Sequence, residues 1–237
     1  MNIYLYHYRF ASVAGGQEHR RAALASRRHV SRQILRSCLS HHAQVAPDAW
    51  GFQRGEYGKP ALLSHQQRQY RLQFNLSHSR DWLVLAIADD ADANVFLGVD
   101  VEQPKARRNL SGIAQHYFSE AENAQLGGLA EADFPRVFYP LWVLKESYVK
   151  ATGRGLAQSL QGFGFQLPQT GVPITTAWQT VLGTGMAKNV AWYHAYRPFA
   201  DGYLGLTLGL GHGAGHRMGF TADDIQLIPI ATPPSGQ

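Results

Sequence analysis

Two short stretches limit how this chain can fold: Gly98-Val99-Asp100-Val101-Glu102 and Trp142-Val143-Leu144-Lys145-Glu146-Ser147-Tyr148-Val149-Lys150 put three carboxylates into otherwise apolar settings. Burying a carboxylate without a partner costs several kcal/mol, so acids embedded in apolar runs call for a cation, a paired base or a proton-transfer role. On a strand, Asp100 and Glu102 project to one side while Val99 and Val101 point into packing. On a helix, Glu146 lies four residues after Trp142 and four before Lys150, so the three share a face. If that face meets the strand, three oxygen ligands converge, the usual setting for magnesium. The plain alternative is an ordinary Glu146–Lys150 surface pair, with Asp100 and Glu102 on a solvated edge. The flanking Val95-Phe96-Leu97 and Phe138-Tyr139-Pro140-Leu141 are too apolar for surface elements and favour a site.

A chain of 237 residues can form one large domain or two of about 100 to 120 residues each. The opening MNIYLYHYRF lacks a basic region followed by a cleavage site, and no apolar run approaches the roughly 18 residues of a membrane span, so a cytoplasmic protein is expected. The single cysteine, Cys38, excludes an internal disulfide and a cysteine-based zinc cage, and reads as a helix-packing residue. A net charge of +5 points to an acidic partner: nucleic acid, a phosphorylated small molecule or an acidic protein surface. The 11 histidines are scattered, with no His-Glu-x-x-His pattern.

Along the chain, residues 2–8 read as a strand and 18–42 as a long basic helix. Glycines and Pro60 mark 51–60 as a loop. A strand ending near Asn75 should be followed by a polar turn at Ser77-His78-Ser79, a strand over 82–88, a hairpin turn in the Asp-Ala stretch and a strand over 95–101. Ser119-Glu120-Ala121-Glu122 is a capping-box signature that starts a helix, and a longer helix runs over 133–152 until Gly153 and Gly155 end it. Short strands are expected near 163–167, 177–182, 190–196 and 203–210, and a disordered tail over 232–237. The boundary between two α+β halves falls near residue 97, giving 1–97 and 98–231.

A magnesium site of this kind works on a phosphate, and the chain has neither a Gly-x-x-x-x-Gly-Lys-Ser/Thr loop nor a Gly-x-Gly-x-x-Gly. It does have Arg54 and Gly58-Lys59-Pro60 on a loop, and amide, hydroxyl and imidazole donors together in Asn75-Leu76-Ser77-His78-Ser79. Arg21, Arg28 and Arg32 lie near one face of the basic helix, which reads first as a solvated face and second as a nucleic-acid patch, for which the helix lacks interleaved aromatics.

Gly58-Lys59-Pro60, Phe74-Asn75-Leu76-Ser77-His78-Ser79, Gly98-Val99-Asp100-Val101-Glu102 and Trp142-x-x-Lys145-Glu146-Ser147-x-x-Lys150, in this order and spacing, resemble the 4′-phosphopantetheinyl transferases of the large, surfactin-synthetase-activating type. Val143 departs from that pattern, which often has a small or hydroxyl residue there. The resemblance implies a monomeric α+β protein: a pseudo-twofold pair of similar halves, each with a long helix on a small, mostly antiparallel sheet. It implies coenzyme A as co-substrate, Mg2+ or Mn2+ as cofactor, and transfer of phosphopantetheine to a serine of an acidic acyl or peptidyl carrier protein, with no nucleic acid or membrane involved. Carried over by position, Asp100, Glu102 and Glu146 hold the metal. Lys150, Lys59, Asn75, Ser77 and His78, with Arg54, Arg21 and Arg28, bind the coenzyme. Glu146, directly or through a metal-bound water, is the expected base, with Lys150 and His78 offsetting phosphate charge. Apolar residues around His116-Tyr117-Phe118 are a candidate docking point for the carrier. The rival readings are another magnesium-dependent phosphotransferase or phosphohydrolase on a nucleotide, and a non-catalytic nucleic-acid or carrier-binding module.

Overall fold

In the computed structural model, residues 1–11, 17–106, 108–155, 158–168, 177–212 and 220–231 are described, with side chains of the first helix from residue 21 onward. The first half opens with β1 (Ile3–Arg9) and α1 (Gln17–Ala43), followed by a small hairpin of β2 (Phe52–Arg54) and β3 (Pro60–Leu62), α2 (Ser64–Tyr70), β4 (Gln73–Ser79) and β5 (Trp82–Ala88). The second half carries β6 (Val95–Glu102), α3 (Leu110–Tyr117), α4 (Glu120–Leu126), α5 (Phe134–Thr152), β7 (Gly164–Gln166), β8 (Gln179–Thr184), β9 (Val190–Phe199) and β10 (Gly202–Gly211). The last element, β11 (Ile225–Pro229), returns to the first sheet, whose order is β11-β1-β5-β4. The second sheet runs β6-β10-β9-β8-β7, and all pairings except β1–β11 are antiparallel. This is the expected α+β pair of halves, each with a long helix on a mostly antiparallel sheet.

The period-two alternation of the strands divides the molecule into three cores. Ile3 and Leu5 of β1, Val84 and Ala86 of β5, and Leu97, Val99 and Val101 of β6 fill the space between the sheets. The opposite face of the first sheet, with Tyr6, Leu83, Leu85 and Ile87, packs on Ile34, Leu35, Cys38 and Leu39 of α1. The opposite face of the second sheet takes α5, with Phe138, Leu141 and Leu144 near Phe118 and Phe165. Cys38 is buried in the α1 core, as a packing residue should be.

Several local expectations are overturned. Residues 52–62 form a hairpin across the expected loop, because Gly58 takes φ +84 and lets the chain reverse. Ser77, His78 and Ser79 continue β4 in register with Val84, Leu83 and Trp82, and the reversal comes at Arg80, with φ +48. The Asp-Ala stretch carries the chain from one sheet to the other, since β5 pairs with β1 and β4 while β6 pairs with β10. Helices α2 and α3 and strand β11 were not foreseen, whereas the expected strand over 95–101 is present as β6, and 232–237 lie outside the described residues.

The two halves meet along β4 and β6 through side chains in place of a backbone ladder. Val99 N–H donates to Asn75 Oδ1 (2.9 Å), Val101 N–H to Ser77 Oγ (3.3 Å) and Gln103 N–H to Ser79 Oγ (3.0 Å). Short polar residues at every second position of β4 thus satisfy every second amide of β6, groups that would otherwise be costly orphans in a buried seam.

Candidate active site

Gly98 fixes where α5 crosses β6. A Cβ at Gly98 would stand 1.9 Å from the Ser147 carbonyl oxygen, and one at Gly205, which pairs with Asp100 across the sheet, 2.5 Å from that of Val143. Two bare glycines therefore let the helix backbone lie directly on the strands. Asp100 is two residues beyond Gly98 on the same face, so it emerges beside Glu146 and Lys150.

Lys150 Nζ donates to Asp100 Oδ1 (2.6 Å) and to Ser77 Oγ (2.8 Å), and Ser77 Oγ donates to the same Asp100 oxygen (2.7 Å). Asp100 Oδ2 is buried with no hydrogen-bond partner. Burial pushes the Asp100 carboxyl above its usual range, opposed in part by Lys150 and Ser77. Glu146 is pushed up to about 7, first by burial and next by the Asp100 charge, with Glu102 adding to the effect and Lys150 and Arg108 opposing it. Glu102 accepts from Ser79 Oγ (3.1 Å) and faces Arg108 (3.5 Å) and Lys105 (3.9 Å).

A cavity of about 580 Å³ opens at the seam, lined by Glu146 and Lys150 together with Lys59, Asn75, His116 and Tyr117 and the glycines after α5. Lys59 spans both halves: its ammonium donates to the carbonyls of Leu97 and Ala151, both at 2.9 Å, and burial lowers its pKa to about 8. His78 lies on the opposite face of β4 from Ser77, hydrogen-bonded to Ser31 of α1 (Nε2–Oγ 3.0 Å) and stacked on Phe10. Its pKa is held down by burial of the ring and then by the Lys150 and Arg27 charges. Arg54 is exposed on β2, and Arg21 and Arg28 are exposed on α1. The structure thus gathers Asn75, Ser77, Asp100, Glu102, Glu146, Lys150 and Lys59 at the seam, and leaves Arg54, Arg21 and Arg28 outside the cavity lining. Phe118, taken as part of an exposed docking patch, is 1% exposed and stacks on Phe138, although His116 and Tyr117 remain at the surface.

Sequence reasoning missed Arg108, Tyr57 and Leu160, and it gave Lys145 no task. Lys145 is fully buried, ion-paired with Glu122 (2.7 Å) and bonded to the carbonyls of Leu160 and Phe163. The signal was present: a lysine directly after Phe138-Tyr139-Pro140-Leu141-Trp142-Val143-Leu144 needs an acid, and the capping-box Glu122 was available.

A family model described as the 4′-phosphopantetheinyl transferase superfamily matches residues 96–201, and one described as 4′-phosphopantetheinyl transferase, N-terminal, matches 17–90. The chain belongs to this superfamily. Among curated phosphopantetheinyl transferases, ffp of Bacillus subtilis is 33% identical over 138 residues, 58% of this chain and 57% of the relative. Sfp of Bacillus subtilis strain 168 is 31% identical with the same coverage, and HetI of a Nostoc species is 33% identical over 60% of this chain and 55% of its own length. The matched segment spans somewhat more than half the length of these relatives. The superfamily match over 96–201 takes in the acid-bearing strand β6 and helix α5.

As the side chains stand, no three carboxylate, imidazole or thiol groups among the described residues are close enough to hold a metal ion. The donor chemistry nonetheless suits a hard divalent cation. Asp100 Oδ2 is buried and unpartnered, and Glu146 lines the cavity with its carboxylate destabilised first by burial and then by the Asp100 charge. No helix among the described residues is long and apolar enough to cross a membrane.

Proposed function

We propose that the chain transfers the 4′-phosphopantetheine group of coenzyme A to a serine of an acidic apo acyl or peptidyl carrier protein, releasing adenosine 3′,5′-bisphosphate. The observation that carries this reading is the seam itself. Glu146 with a raised pKa and Lys150 line one cavity of about 580 Å³, and Lys150 is held from behind by Asp100, whose second oxygen is buried and uncommitted. A volume of that order suits a coenzyme-sized ligand entered from one end. We further propose the division of tasks given by position: Asp100, Glu102 and Glu146 to hold Mg2+ or Mn2+, and Lys59, Asn75, Ser77, His78 and Lys150, with Arg54, Arg21 and Arg28, to bind the coenzyme.

Phosphoryl-type transfer depends on positioning and charge neutralisation. In this reading the carrier serine oxygen bonds to the phosphorus that bears pantetheine, and the bond from that phosphorus to the oxygen bridging toward the adenosine side breaks. Glu146 takes the serine proton, which a carboxylate with a pKa near 7 does well at neutral pH. Lys150, anchored by Asp100 and Ser77, holds its charge at the cavity wall, where the leaving phosphate gathers negative charge. A divalent cation bound at the acids would supply further neutralisation of the pyrophosphate. The excess of basic residues suits the acidic face of a carrier protein, and we read the chain as a cytoplasmic monomer engaging no nucleic acid.

Incubation with apo carrier protein, coenzyme A and magnesium should raise the carrier's mass by one phosphopantetheine group, and chelation should prevent it. A carrier of unchanged mass would overturn the reading. Glu146→Gln should abolish the mass shift while coenzyme A still binds.

A further inference from the structure

The acids at the seam already have cations of their own, and these are held unequally. Asp100, Glu102 and Glu146 are set among Lys150, Arg108 and Lys105. Among the described residues the cluster is therefore close to charge-balanced without any metal. Adding two positive charges to a balanced, half-buried cluster is unfavourable unless a resident cation gives way or an anion arrives with the metal.

The loosest of the inner cations is Arg108. Lys150 sits at 2.6 Å from Asp100 with two hydrogen bonds, whereas the Arg108 guanidinium stands 3.5 Å from Glu102 Oε1. That Arg108 nitrogen is buried and makes no hydrogen bond. A buried donor held by charge alone forfeits most of what a charge-assisted hydrogen bond offers. Its support comes from below, where the guanidinium lies over the Trp142 ring at 5.2 Å. Trp142 is one helical turn before Glu146 on α5, so this perch sets Arg108 between the strand acid and the helix acid. Lys105, half exposed and 3.9 Å from Glu102, is a rim charge by comparison.

We propose that Arg108 is a resident counter-ion that competes with the divalent cation for Glu102, so that the free protein binds the metal weakly and binds it well only together with coenzyme A. The coenzyme pyrophosphate supplies the negative charge that offsets the metal and gives the unsatisfied Arg108 donor an acceptor. This rests on the metal reading of the acids given above.

The test is Mn2+ binding followed by electron paramagnetic resonance and calorimetry, with no transfer reaction involved. Arg108→Met keeps an apolar stem against Trp142 and removes the charge. The variant should bind Mn2+ about tenfold more tightly than the unaltered protein in the absence of coenzyme, a change well within the interaction of unit charges a few ångströms apart. With coenzyme A present the two affinities should converge. Lys105→Met should shift either affinity by less than about twofold, as rim charges do. Unchanged or weaker Mn2+ binding by free Arg108→Met would overturn the proposal, as would loss of folding in both Arg108→Met and Arg108→Gln, which would make Arg108 a brace. Asp100→Asn separates the two readings. If no Mn2+ binding sensitive to Asp100→Asn is seen even with coenzyme A, the metal reading fails and this proposal falls with it. If that binding is present and only the Arg108 effect is missing, the counter-ion proposal alone is wrong.

Discussion

Two lysines five residues apart on α5 each meet a carboxylate at nearly the same distance, Lys145 with Glu122 at 2.7 Å and Lys150 with Asp100 at 2.6 Å, yet their surroundings differ. The Lys145 pair is sealed and complete. Lys145 donates to Glu122 and two carbonyls, while Glu122 accepts from the Ser119 amide and hydroxyl and from the Phe165 amide. The Lys150 pair opens on a cavity, leaves Asp100 Oδ2 without a partner, and stands beside Glu146 with its raised pKa. Full satisfaction makes the first pair a strut that pins the turn at Leu160 and Phe163 to the helix. Incomplete satisfaction in the second is the feature on which the proposed site rests.

The largest effect expected from breaking this contrast is on the strut. Lys145→Ala leaves Glu122 as an uncompensated buried charge and should cost about 3–5 kcal/mol in urea unfolding. Lys145→Met combined with Glu122→Gln should recover part of that loss, because no buried charge remains and the Gln amide oxygen can still accept from a backbone amide that Glu122 now satisfies, while the carbonyls of Leu160 and Phe163 lose their donor. A mild single variant would mean that Glu122 already finds enough support from Ser119 and Phe165.

The next effect belongs to the open pair and is read from pH. The folded-state pKa of Glu146 is about 7 against 4.5 for the free group, so the native state binds more protons than the unfolded chain in that window. This contribution to stability is therefore largest at low pH and is lost as pH rises from about 4.5 to about 7. The ceiling is about 3 kcal/mol, at roughly 1.4 kcal/mol per unit. In the presence of chelator, Glu146→Gln should flatten this decline. Measuring the variant against the unaltered protein cancels the opposite slope of His194, whose pKa burial lowers to about 3. An unchanged slope would show that Glu146 titrates as an ordinary surface carboxylate.

What could be read in the letters depended on whether the cause was local. The capping box at Ser119 and Glu122 was legible because both partners lie within one turn, and α5 because its stop at Gly153, with φ +72, is a local event. The three acids were legible because alternation and helical spacing fix their faces. Strand β11 was not, since the strand it pairs with, β1, lies at the other end of the chain. Nor was the path of Ser77-His78-Ser79: hydroxyl and imidazole side chains suit a turn, and only the neighbouring β6 turns the serines into acceptors within a strand. Lys145 was overlooked as the middle of a motif because its partner comes from another helix.

The seam offers the smallest and sharpest test, because Ser77 and Ser79 do the same structural work and differ in what else they touch. Each hydroxyl accepts from a backbone amide, Ser77 from Val101 of β6 and Ser79 from Gln103 just past its end, and donates to a carboxylate, Ser77 to Asp100 and Ser79 to Glu102. Ser77 alone also receives Lys150. Ser79→Ala should cost about 1 kcal/mol of stability, the value of a typical intramolecular hydrogen bond, and little more. Ser77→Ala should cost about 1–2 kcal/mol and in addition raise the KM for coenzyme A, since Lys150 then loses one of the two groups that orient it toward the cavity. Equal effects of the two variants on both readouts would mean that Ser77 is only a rung of the seam, and that the hold on Lys150 comes from Asp100 alone.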